Sequence, residues 1–119
     1  MALSLLAGML LAPAPAAAVD VAFHDLAVGR NEAAIERIEA NPALASDDPA
    51  RLINLGIAHA REGRVDEART MFRAAVRARE SVQLETATGD WVDSRDLART
   101  ALALLDAGGF ARGATIAAR

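Results

Sequence analysis

The sequence predicts an all-α fold: a stack of helix–turn–helix repeats with a small β-hairpin inserted before the last helix. Three observations carry that prediction. Residues 29–38 (Gly-Arg-Asn-Glu-Ala-Ala-Ile-Glu-Arg-Ile) read almost in register with residues 63–72 (Gly-Arg-Val-Asp-Glu-Ala-Arg-Thr-Met-Phe), and the blocks begin 34 residues apart. Self-similarity at such a period marks stacked repeats, whose helix pairs bury their apolar faces only against a neighbour. Apolar residues keep helical spacing from Val19 to Arg79 and then give way to strand-like alternation.

In chain order, residues 3–12 (Leu-Ser-Leu-Leu-Ala-Gly-Met-Leu-Leu-Ala) form an apolar run followed by Pro13, Pro15 and the small residues Ala16-Ala17-Ala18. That layout predicts a secretory signal peptide over residues 1–18, cleaved after Ala18. No Lys or Arg precedes the run, so either the signal is weak or translation starts upstream. A buried N-terminal helix is the other reading; a membrane anchor is disfavoured, because a span needs roughly 20 apolar residues and prolines interrupt this run sooner. The expected location is therefore periplasmic or secreted, with a helical domain over 19–107 and a flexible tail over 108–119.

Val21, Ala22, Phe23, Leu26 and Ala27 predict a first helix that Gly29 ends. Asn31 is the expected cap of a second, with Ala34, Ile35 and Ile38 inward and Asn41-Pro42 closing it. Asp48 before Pro49 reads as an N-cap with proline at the first helical position, opening a helix whose core residues run from Leu52 to Ala60 as far as Gly63. A partner helix from Val65 turns Ala68, Met71, Phe72, Ala75 and Val76 inward and leaves a charged face to water. Val82, Leu84 and Thr86, then Thr88-Gly89-Asp90, then Trp91-Val92 predict a β-hairpin over 82–93, with a short irregular helix as the other reading. Ser94, or Asp93 beside it, caps a last helix to Asp106, which Gly108-Gly109 stops; residues 110–119 show no stable pattern.

Composition narrows the function classes. The 119 residues carry 13 basic and 16 acidic side chains, a net charge of −3, and no cysteine. Every basic residue is Arg, a bias typical of GC-rich bacterial coding. There is no basic footprint for nucleic acid or anionic membrane, and neither a disulfide nor a thiolate metal site is possible. His24 and His59 lack an acidic partner at metal-ligand spacing, and Asp90, Asp93 and Asp96 lack the order of a calcium loop. Ser94 has no histidine nearby in sequence and no flanking glycines of a nucleophile elbow. No cofactor and no catalysis are expected. Trp91 is read as covering the end of the thin helical stack, with an exposed anchor for a partner as the alternative.

Residues 49–82 resemble a tetratricopeptide repeat: counted from Pro49, the signature sites fall on Leu52, Leu55, Gly56, His59, Gly63, Ala68, Phe72 and Ala75, with Glu80 in place of the usual terminal proline. The earlier unit keeps Gly29, Ala34 and Ile38 but has Val21-Ala22 where Leu-Gly is usual. The resemblance implies that Gly56 and Ala68 let the helix pair approach closely. It further implies a groove lined by the first helix of the pair, at Ala50, Ile53, Asn54, Ile57 and Arg61, with Asn54 holding a peptide backbone by its amide. The expected function is a non-catalytic module that binds a peptide or protein segment at Ile53, Asn54, Ile57 and Arg61. The alternative is a self-associating component whose helical face a second copy completes.

Overall fold

Gly29 and Gly63, which open the two repeated blocks, adopt φ of 80° and 78°. At each, the helix ends in the same pair of hydrogen bonds. Gly29 N donates to Leu26 O at 3.2 Å and Arg30 N to Asp25 O at 2.8 Å; 34 residues on, Gly63 N donates to Ala60 O at 3.1 Å and Arg64 N to His59 O at 2.9 Å. This is the Schellman ending, which needs a left-handed residue that glycine supplies without steric cost. Arg30 and Arg64 then take near-identical conformations, φ −86° with ψ 68° and 73°, and each caps the next helix through its carbonyl. The 34-residue repeat in sequence is thus a repeated corner in space.

The computed structural model describes residues 20–112 and 116–118; the expected signal peptide lies outside them. Five α-helices follow one another: α1 (Phe23–Ala27), α2 (Asn31–Glu39), α3 (Pro49–Arg61), α4 (Val65–Arg77) and α5 (Ser94–Asp106). An antiparallel pair, β1 (Gln83–Glu85) and β2 (Trp91–Asp93), separates α4 from α5, and a 3₁₀ turn follows at Gly109–Arg112. The all-α class with its inserted hairpin is as expected. Among the described residues no helix is long and apolar enough to cross a membrane.

Helix α3 is the centre of the molecule and packs on α1, α2, α4, α5 and the 3₁₀ turn. Asp48 starts it, accepting from Arg51 N at 2.9 Å, with Pro49 at the first helical position. Gly56 lies flush against the fully buried Phe72 of α4; a Cβ there would stand 2.5 Å from the ring. Phe72 also stacks on Phe110, with ring centroids 5.8 Å apart.

Three expectations are corrected. Asn31 is the first residue of α2 and not its cap, because the corner makes Arg30 the capping residue. Residues 108–119 are not a loose tail where described: Phe110, Ala117 and Ala118 are buried. Trp91 does not cover the stack. In the hairpin register Leu84 pairs with Val92 and Glu85 with Trp91; successive residues face opposite sides, so burying Leu84 leaves Trp91 66% exposed.

Candidate functional site

An asparagine inside the apolar run Leu52-Ile53-Asn54-Leu55 must find partners or carry the full cost of desolvating its amide. Asn54 is completely buried and finds three. Its Nδ2 donates to Val21 O at 3.0 Å and to Ala118 O at 2.8 Å, and its Oδ1 accepts from Ala118 N at 2.9 Å. In an extended residue N–H and C=O point to the same edge, so the Asn54 carboxamide engages Ala118 as a neighbouring strand would. Ala118 also forms an antiparallel bridge with Thr86, just beyond β1. The segment Ile116–Ala118 is thereby held as an extended chain by α3 and the hairpin.

The remaining positions of that α3 stripe sit around it. Ala50, Ile53 and Ile57 are buried in the core. They are therefore not exposed in this structure, and at Asn54 the face is covered by Val21 and Ala118. Arg61, one turn beyond Ile57, donates from Nη1 to Leu26 O at 2.7 Å. Burial pushes its guanidinium pKa down from the ordinary arginine value. A small pocket of about 130 Å³ opens beside it, lined by Phe23, Leu26, Ala27, Arg61, Ala87 and Ala117.

The approach of residues 20–22 to α3 is fixed by polar contacts that sequence reading did not find. Asp20 accepts from Ala22 N at 2.8 Å, and Arg37 bridges Asp20 at 3.1 Å and the buried Asp25 at 2.9 Å. The Ala22 amide, opposed in part by desolvation and aided by Arg37, holds the Asp20 carboxyl below its usual pKa. Backbone groups such as Val21 O and Ala118 N have no residue-specific signal.

The other candidate residues are spread among structural tasks. His59 accepts at Nδ1 from Arg64 Nε at 2.9 Å, within the second corner. Asp93 caps α5, accepting from Arg95 N and Asp96 N; Asp90 accepts from the Thr88 hydroxyl at 2.8 Å, and Asp96 pairs with Arg99 at 3.0 Å. Ser94 is buried as the first residue of α5, where its Oγ accepts from Val82 N at 3.0 Å and ties the hairpin to the helix. Among the described residues no group of three or more His, Cys, Asp or Glu side chains is placed to hold a metal ion. Comparison with family models, with curated proteins and with solved structures finds no match.

Proposed function

We propose that this chain is a non-catalytic interaction module of tetratricopeptide-like build that holds an extended protein segment on the α3 face, at Ile53, Asn54, Ile57 and Arg61. The observation that supports it most is the Asn54 carboxamide, whose donor and acceptor both engage the backbone of a single extended residue. Backbone recognition of this kind gives affinity without demanding a side-chain sequence, and flanking pockets add selectivity. The 34-residue recurrence of the corner adds support for the repeat architecture. The signal-like layout of residues 1–18 supports a periplasmic or extracellular location for the module.

Self-association is the second reading, and one observation favours it: every copy carries the Ile116–Ala118 segment that the α3 face holds.

Photo-crosslinking in intact bacteria tests both. A benzoylphenylalanine replacing Ala87, at the rim of the small pocket, should trap a partner protein. The same probe replacing Arg73, on the exposed side of α4, should not. Equal adducts at both positions would remove the site assignment, and adducts only between copies of the chain would favour self-association.

A further inference from the structure

Resting on that reading of the α3 face, we propose that its ligand is an extended segment of another protein with a small side chain at the place of Ala118, and that Ile116–Ala118 occupies the same place in cis. Three features of the bound segment define the chemistry. Ala118 gives both backbone polar groups to Asn54, so the ligand must be extended and must not be proline at that position. Ala118 is 0% exposed, so its methyl is enclosed and a larger side chain there has nowhere to go, whereas Ala117 lines the pocket of about 130 Å³ and faces room for a larger one. Ala118 also forms an antiparallel bridge with Thr86, just beyond β1, so the ligand makes a strand-like contact at the end of the hairpin, a short form of the backbone pairing used in strand addition.

Occupation in cis sets the threshold for a partner. A tethered segment competes at an effective concentration on the order of millimolar. A free peptide of the same sequence must exceed that level, or the segment must first leave. The apparent affinity for a partner is then the intrinsic affinity reduced by the fraction of molecules whose groove is open. Selection falls on backbone shape and on the small side chain at the place of Ala118; among the described residues, the charged one lining the pocket beside Ala117 is Arg61.

The test uses the full chain and a labelled peptide, Gly-Ala-Thr-Ile-Ala-Ala-Arg, which repeats residues 113–119. Ala118→Asp places a charge in an enclosed site and should expel the segment, so the variant should bind the peptide at least about tenfold more tightly than wild type. The same peptide with Leu at its sixth position should bind neither chain. Equal affinity of wild type and a folded Ala118→Asp, or equal binding of the Leu peptide, would overturn the proposal. So would a wild-type dimer that becomes monomeric in Ala118→Asp, since the segment would then sit in a second copy. Should the variant fail to fold, hydrogen exchange on the wild type decides: excess peptide should release the Ala118 amide while the Phe72 amide stays protected, and unchanged Ala118 protection would overturn the proposal. Partner adducts at position 87 without peptide binding would sink the ligand chemistry while leaving the interaction module standing. Peptide binding without adducts would do the reverse.

Discussion

Residues 22 and 56 occupy equivalent places ahead of the two matching corners, 34 residues apart, and do opposite things. At the later position the chain is helical and Gly56 lets α3 lie against Phe72. At the earlier one Ala22 sits in the left-handed region, φ 61°, and α1 only begins after it. The corners are the same; the helices leading into them are not. Asp48 and Pro49 start α3 two turns before Gly56, whereas Asp20 receives the Ala22 amide and turns residues 20–22 across α3, where Val21 reaches Asn54. A repeated corner therefore does not guarantee a repeated groove. The face that one helix would expose to a partner is here narrowed at Asn54 by the non-helical lead-in to the other, through Val21.

The largest test of this contrast is Gly56→Leu. The new side chain meets a rigid, fully buried ring, and overpacking should lower stability by roughly 1–3 kcal/mol, towards the upper end. An unchanged denaturation midpoint would mean that α3 and α4 are not in contact at Gly56. The next pair probes the corners themselves. A Cβ added at Gly29 or Gly63 meets nothing within 4 Å, so Gly29→Ala and Gly63→Ala should each cost about 1 kcal/mol through backbone conformation alone. Unequal costs by urea denaturation would show that the corners are not energetically equivalent.

Ala22→Gly runs the other way: releasing a left-handed alanine should raise stability by about 0.5–1 kcal/mol after the added chain entropy of glycine. A loss of stability would mean that the Ala22 methyl is worth more in the core than its strain. Smallest is the acid dependence of the lead-in. The Asp20 carboxyl has a lowered folded pKa, so its contribution is complete above the unfolded value near 3.9 and fades as pH falls through the folded one. Asp20 is half exposed, which keeps that contribution small. Asp20→Asn should flatten the wild-type stability curve below about pH 4, and identical curves would take Asp20 out of the lead-in.

Most of the framework was legible because it is local. The glycines of the two blocks, the Asp48-Pro49 start, the Ala34, Ile35 and Ile38 stripe and the alternation around Leu84 each act within a turn or a hairpin. That the helix pair approaches closely at Gly56 was also legible, through the resemblance of that unit to a known repeat; that Phe72 is the side chain facing Gly56 was not. What sequence reading missed is long-range and carried by backbone. Asn54 was singled out, but its partners lie 33 residues before it and 64 after it, at carbonyl and amide groups that every residue possesses. Phe110 and Ala117 entered the core without any periodicity to announce them. Trp91 went to the wrong side because one residue of register decides which face of a strand is wet.

The three bonds of Asn54 also set an order of events during folding. Its partner at Ala118 lies 64 residues further along the chain, so that contact closes a long loop and follows an interval in which contacts near in sequence form. Through that interval α3 and α4 can close on each other, since their contacts are near in sequence and form early. The Asn54 carboxamide meanwhile remains open to water, or to any extended chain that arrives first.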